Sequence, residues 1–300
     1  MTITHAGFAA IIGRPNVGKS TLINHLLGKK ISIISAKPQT TRWQILGIKT
    51  KASAQIIYID TPGLHQMEKK AVNRYMNRVA SAVIYDADVV VMMVDATGLQ
   101  SDDGWVFQKL EGIKNPVILA INKVDLLKNK EELLPLIAQL KDRYPFAEII
   151  PISAKTGIHV DKLEDTISKF LPESPALYPE EQVTDRSIRF QLAEIIREKI
   201  IQTTEQELPY TTAIEIEQLA TEIQGRKKPL TKISAIIWVE RPGQKAIIIG
   251  KNGQHLKEIG TAARLEMELL LNNKVFLQLW VKVKAHWTDD DRALRSLGYE

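Results

Sequence analysis

Eight residues near the N-terminus, Gly13-Arg14-Pro15-Asn16-Val17-Gly18-Lys19-Ser20, have the types and spacing of a polyphosphate cradle. Gly13 and Gly18 allow a turn whose backbone N–H groups face an anion. The helix that follows adds the positive end of its dipole. Lys19 supplies a point charge for the β- and γ-phosphates, and the Ser20 hydroxyl is a Mg²⁺ ligand. An apolar run, Phe8 to Ile12, precedes the loop, and a helical run from Thr21 to Leu27 follows it. Strand, glycine-bounded loop and helix are the context in which this pattern binds phosphate.

Three further motifs add chemistry. In Asp60-Thr61-Pro62-Gly63 the carboxylate can hold Mg²⁺ through a water, and the Gly63 N–H can meet a γ-phosphate and be released when it leaves. In Asn122-Lys123-Val124-Asp125 an aspartate can accept two hydrogen bonds, from the N1–H and exocyclic amine of guanine. Adenine offers no such pair, and mispairing strands a carboxylate. This motif favours GTP over ATP. Ser153-Ala154-Lys155 suits the wall of a base pocket with its backbone N–H. The loop from Ser35 to Arg42 holds two threonines, Thr40 and Thr41, either of which can complete a Mg²⁺ shell; Arg42 is an internal candidate for stabilising charge at the phosphates, but reads first as a surface residue.

The elements that position these motifs are legible as alternation. Apolar runs of strand length recur at Phe8–Ile12, Ile56–Ile59, Val89–Val94, Val117–Ile121 and Ile149–Ile152, with helical patterns between most of them. The pattern predicts an α/β domain with a mostly parallel sheet and helices on both faces. Gln44–Thr50 reads as an added edge strand. Each motif follows one of the five runs, where ligands bind in such sheets. This domain is expected over 1–172. Prolines 172, 175 and 179 make 173–186 a stiff linker.

The second domain, 187–300, reads as α+β in the order α-β-β-α-α-β, with Gly250-Lys251-Asn252-Gly253 joining two helices. A G-x-x-G loop in that place clamps about four nucleotides in KH domains. From Gln224 to Lys257 eight basic residues (Arg226, Lys227, Lys228, Lys232, Arg241, Lys245, Lys251, Lys257) face one acid, Glu240. Such a patch is an electrostatic footprint for nucleic acid. Gly250, Lys251, Asn252, Gly253, Lys245 and Lys257 are the candidate RNA contacts. Trp238 and Trp280 could stack bases, though on strands they read first as core residues, and Leu265, Leu269 and Leu270 read as a core stripe.

Composition narrows the classes. The 300 residues carry 40 Lys+Arg against 35 Asp+Glu, and no cysteine. Disulfide frameworks and thiolate chemistry are excluded, which fits a reducing cytoplasm. The six histidines show no metal-ligand spacing. The first eight residues have neither a basic nor an apolar signal region, and no apolar run is long enough to span a membrane. The net charge lies in the first 175 residues (22 basic, 17 acidic); the remainder balances at 18 of each. RNA contact must therefore be local.

The four motifs in this order resemble the translation-factor-related GTPases, in the branch containing Era, EngA and MnmE. That resemblance implies that residues 16–20 and Thr21 contact phosphates, that Ser20 and Thr41 bind Mg²⁺, and that Asn122 and Asp125 read guanine. Thr41 is preferred because the family's metal-binding threonine directly precedes the arginine of its T-T-R motif. Leu64 follows Gly63, where many GTPases carry a water-orienting glutamine. This implies slow intrinsic hydrolysis and a K⁺ ion, held partly by Asn16, in place of an arginine finger. A GTPase domain followed by one KH-like domain resembles the bacterial Era GTPases, with Glu207-Leu208-Pro209-Tyr210, Leu279 to Lys284 and Asp291 to Tyr299 matching as well. Membership implies binding near the 3′ end of small-subunit (16S) rRNA, a role in maturing the 30S subunit, and loose peripheral association with the inner membrane, for which no amphipathic helix is visible. A monomer is the plain expectation. Two other readings are a nucleotide-sensing scaffold in which hydrolysis is secondary, and a tRNA-modification GTPase, disfavoured by the absence of cysteine.

Overall fold

The structure is a computed structural model. It describes residues 3–35, 37, 40–51, 53–64, 71–204, 208, 211–222 and 229–289. The chain divides into two units, the first holding 1–69 and 73–185, the second 70–72 and 186–300.

The first unit is a six-stranded sheet in the order β2-β3-β1-β4-β5-β6. Its strands are β1 (His5–Ile12), β2 (Ile45–Lys51), β3 (Ala54–Asp60), β4 (Val89–Asp95), β5 (Val117–Asn122) and β6 (Glu148–Pro151). All neighbours run parallel except β2, which pairs antiparallel with β3. The five expected runs and the added edge strand are all present. The central strands have apolar side chains on both faces, and every residue of β4 and β5 is buried. Such strands need helices on both sides, supplied by α1 (Lys19–Leu27), α2 (Ala71–Asp86), α3 (Ser101–Gln108), α4 (Leu133–Lys141) and α5 (Val160–Lys169). The register aligns the carboxyl ends: Ile11 lies beside Asp60, Asp95 beside Asn122, and Ile121 beside Pro151. One edge of the sheet therefore collects the loops that follow β1, β3, β5 and β6.

The segment expected as a linker is bonded along the first unit. Glu173 bridges His5 and Thr184 bridges Gly47. The Ile48 N–H donates to Val183 O at 2.8 Å, and the buried Gln55 accepts from the N–H groups of Leu177 and Tyr178. Proline breaks regular structure but leaves neighbouring carbonyls and N–H groups free to pair with a sheet edge, which composition does not reveal.

The second unit contains α6 (Ile188–Thr203), β7 (Ala213–Glu222), β8 (Leu230–Val239), α7 (Pro242–Ile249), α8 (Gln254–Leu271) and β9 (Lys274–Val283), the expected order. Its sheet runs β7-β8-β9, with β7 antiparallel and β9 parallel to β8. Ile196, Ile200, Ile233, Ile237, Ile259 and Met267 belong to one core. Two expectations fail here. Trp280 is 56% exposed and Trp238 is only half-buried, donating Nε1–H to Glu215. Leu265, Leu269 and Leu270 are exposed, Leu269 by 84%. The core face of α8 is Ile259, Ala263 and Met267, four residues apart. Leu265 and Leu269 lie two residues beyond Ala263 and Met267, about 200° round the helix.

Candidate functional site

The phosphate loop forms because β1 ends at Ile12 and the chain turns through positive φ at Gly13, Asn16 and Gly18 before α1 starts. Gly18, at φ 106°, has no room for a side chain: a Cβ would run into Asn122 Nδ2. Lys19 is buried and donates from Nζ to the carbonyls of Gly13 and Arg14, each at 3.0 Å. Burial pushes its pKa down to about 8, helped by Arg14 and opposed by Asp60. A cation so poorly solvated gains strongly from a phosphate.

Three oxygens converge beside it. Ser20 Oγ lies 2.9 Å from Thr41 Oγ1 and donates to Asp60 Oδ2 at 2.8 Å. Burial raises the Asp60 pKa, against the neighbouring hydroxyls of Ser32 and Ser20 and the charge of Lys19. Asp60 Oδ1 is buried without a hydrogen-bond partner. A buried acceptor left over beside two hydroxyls fits a hard divalent cation with its water shell. The geometry also separates the two threonines: Thr40 Oγ1 donates to Lys37 O at 2.7 Å, whereas Thr41 faces Ser20. Arg42, expected at the surface, is 1% exposed. Its long stem lets a guanidinium reach a partner under packed side chains, which its loop position does not predict.

One cleft of about 680 Å³ gathers Pro15, Asn16, Gly18, Lys19, Ser20 and Thr21 with Thr40, Thr41, Gly63, Asn122, Lys123, Asp125, Ala154 and Lys155. Ile33, Ile34, Ser35 and Leu126 complete its walls without having been singled out in the sequence. Other motif residues stand behind the cleft. Val17 is buried, Thr61 Oγ1 donates to Ile11 O, and Ser153 Oγ accepts from Thr156 N–H. Val124 packs against the core, Pro62 is buried, and Leu64 is fully buried in the core while its N–H donates to Gly13 O at 3.3 Å. The Leu64 side chain is thus not a cleft residue: the strand-to-loop turn after Asp60 aims it into the sheet-helix layer.

Asn122 locks three loops. Its Nδ2 donates to Val17 O and its Oδ1 accepts from Ala154 N–H, each at 2.8 Å. Nδ2 keeps a second proton on the cleft that Asn122 lines, and Asp125, the other residue expected to read guanine, presents an exposed side chain to it. Arg14 turns away from the cleft to Asp95 (3.4 Å) and Asp103 (3.3 Å), and Lys123 Nζ reaches Asp95 at 2.6 Å. Asp95 and Asp103 escaped the motif reading. The available signal was a carboxylate ending an apolar run level with Asn122.

In the second unit the loop after α7 adopts φ 70° at Gly250, 53° at Asn252 and 75° at Gly253. A Cβ on Gly250 would meet His255 Cβ at 2.6 Å, so the tight passage into α8 needs glycine there. Asn252, Gly253, Gln254, Lys257, Thr261 and Leu265 line a surface groove beside it. Lys245 and Lys251 are exposed. Leu265, expected in the core, gives this groove an apolar wall. Arg226, Lys227 and Lys228 lie outside the described residues, as do Glu207, Pro209, Tyr210 and the stretch 291–299.

Comparison with known proteins decides the family. The chain is 54% identical over 301 residues to GTPase Era of Coxiella burnetii (strain Dugway 5J108-111), covering all of both proteins. The chain belongs to the GTPase Era family. GTPase Era of Glaesserella parasuis serovar 5 is 56% identical over 296 residues, covering 99% of this chain and 97% of that one. The family model described as 50S ribosome-binding GTPase matches residues 8–123, and the KH domain model matches 207–288. Two solved Era structures superpose with TM-score 0.94 at 42% identity. One, covering 99% of each chain, is Era with MgGDPNP and nucleotides 1506–1542 of 16S ribosomal RNA. The other, covering 98% of this chain and 99% of its own, is an Aquifex aeolicus Era variant bound to GDP·AlF₄⁻. The protein is a GTPase with a P-loop unit and a KH unit, as members of the Era family are. Among the described residues no helix is long and apolar enough to cross a membrane, and no three His, Cys, Asp or Glu side chains cluster as a metal site.

Proposed function

We propose that this Era-family GTPase is a Mg²⁺-dependent switch whose KH unit holds single-stranded RNA near the 3′ end of 16S rRNA, in the service of 30S subunit maturation. The observation that carries the reading is the single cleft in which the phosphate loop, Thr41, Gly63, Asp125 and Ala154 meet. Lys19 and the loop N–H groups bind and orient the β- and γ-phosphates. Ser20, Thr41 and Asp60 would hold Mg²⁺, which would neutralise charge on the phosphate oxygens. Asp125 reads guanine, with Ala154 and Lys155 lining the base pocket. GTP favours one arrangement of the Thr41 and Gly63 loops, hydrolysis removes the contact that favours it, and RNA affinity follows.

Leu64 provides no hydrogen bond to the attacking water, so intrinsic turnover is slow. Asn16 at the cleft rim is the residue that would hold K⁺ there, its amide oxygen being a suitable hard ligand. Hydrolysis is expected to be faster in KCl than in NaCl; equal turnover in both removes K⁺ from the reading. The working form is a cytoplasmic monomer, and peripheral association with the inner membrane rests on family membership alone.

The deciding experiment is binding to a 3′ segment of 16S rRNA with a non-hydrolysable GTP analogue, with GDP and without nucleotide. Tightest binding with the analogue supports the switch; equal binding in all three states makes the KH unit a constant tether, as in the scaffold reading. Gly253→Asp serves as the clamp control, because a Cβ at Gly253 meets open space and Asp tolerates positive φ. It is expected to weaken RNA binding at least tenfold through a charge placed against phosphate, with GTP hydrolysis unchanged. Preserved RNA affinity would refute the clamp.

A further inference from the structure

The first unit contains a buried chain of charges that the nucleotide motifs do not account for. Asp95, the last residue of β4, is 4% exposed. Its Oδ1 accepts from the N–H and hydroxyl of Thr97 at 3.0 and 2.8 Å, which fixes the carboxylate plane. Its Oδ2 takes two cations: Lys123 Nζ at 2.6 Å and Arg14 Nη2 at 3.4 Å. Arg14 also reaches Asp103 in the first turn of α3, itself held by the Gln100 N–H at 2.8 Å. Arg14 belongs to the phosphate loop and Lys123 to the base-reading loop. They meet on one oxygen because β4 lies between β1 and β5 and ends level with Asn122.

We infer that Asp95 is a positioning residue for nucleotide binding: it fixes Lys123 along the cleft wall and ties that loop to the phosphate loop through Arg14. Lys123 begins at a backbone with φ 68° and ends on Asp95, so its four-carbon stem is held at both ends beside a cleft it lines. Such a stem is ordered before a ligand arrives, and an ordered apolar wall beside Asp125 costs less to pack against a flat base. Burial alone would raise the Asp95 pKa, but the hydrogen bonds from Lys123 and Thr97 hold it below the ordinary carboxylate value, so the anchor is charged at neutral pH. The inference rests on the cleft binding a guanine nucleotide, which GDP binding by the unchanged protein tests separately.

The test is a double-mutant cycle on GDP affinity, measured by calorimetry on the full chain with Mg²⁺. Asp95→Asn keeps the shape and loses the charge, and Lys123→Met keeps the stem and loses its anchor. Each single change is expected to weaken GDP binding about tenfold, and the double variant no more than about threefold beyond the weaker single, because both remove one contact. Losses that multiply would leave Asp95 a merely structural acid and overturn the inference, as would unchanged affinity in Asp95→Asn. Should Asp95→Asn not unfold cooperatively, the cycle is run with Arg14→Met and Lys123→Met. Sharing of Oδ2 then predicts a combined loss differing at least about threefold from the product of the single losses, and simple multiplication overturns the shared anchor.

Discussion

Lys19→Ala lowers GTP affinity on the order of 10²–10⁴-fold, with hydrolysis falling below detection at ordinary GTP concentrations. The side chain would place charge-assisted hydrogen bonds on two phosphates, each worth about 1.5–3 kcal/mol, and about 1.4 kcal/mol is a factor of ten. Lys19 has already lost its water and holds only two carbonyls. Little of the phosphate interaction is therefore offset by desolvation on binding. The same burial yields a pH signature. With the free pKa at about 8, Lys19 is part-neutral in the empty cleft at pH 8. Phosphate charge raises that pKa, so binding takes up a proton. Affinity is full below pH 8 and declines above it, up to tenfold per pH unit. Calorimetry at pH 8.5 in buffers of different ionisation enthalpy reads the uptake directly. A protonation count that persists in Lys19→Ala assigns it to another group.

Asp125→Asn converts the base preference. The carboxylate would accept from two donors on guanine; the amide keeps one acceptor and places a donor where guanine also has one, while xanthine offers an oxygen there. GTP affinity is expected to fall about 10²–10³-fold and XTP affinity to rise. The lower end of the range for two charge-assisted bonds applies because Asp125 is exposed in the free cleft and must give up water to bind. Competition of GTP and XTP for the variant decides the matter: a GTP/XTP ratio equal to that of the unchanged protein would sink the assignment. The prediction also distinguishes Asp125 from Asn122. Asn122 also holds Val17 and Ala154, so its loss should weaken all nucleotides by loosening three loops.

Several features were readable before any coordinates. The P-loop, the D-T-P-G and N-K-V-D motifs and the G-K-N-G loop are contiguous, and local chemistry explains each of them. The strands Phe8–Ile12, Val89–Val94 and Val117–Ile121 announce themselves because a strand buried on both faces must be apolar throughout. Sequence alone thus determined the two folds and the nucleotide class.

Tertiary structure decided which way each side chain points and what it meets. Thr40 and Thr41 are equivalent on paper; only packing against α1 sets Thr41 beside Ser20. Arg14 reads as part of the polyphosphate cradle, yet Asp95 and Asp103, more than eighty residues away, turn its side chain inward. Leu64 reads as a poor partner for water, and the turn after β3 removes it from the cleft. Leu265 and Leu269 read as core because α8 has apolar residues on more than one face, and composition does not say which face meets the sheet. The physical reason is common to all four. A local pattern specifies backbone conformation through near neighbours, whereas burial and charge pairing depend on strands and helices brought together from distant parts of the chain.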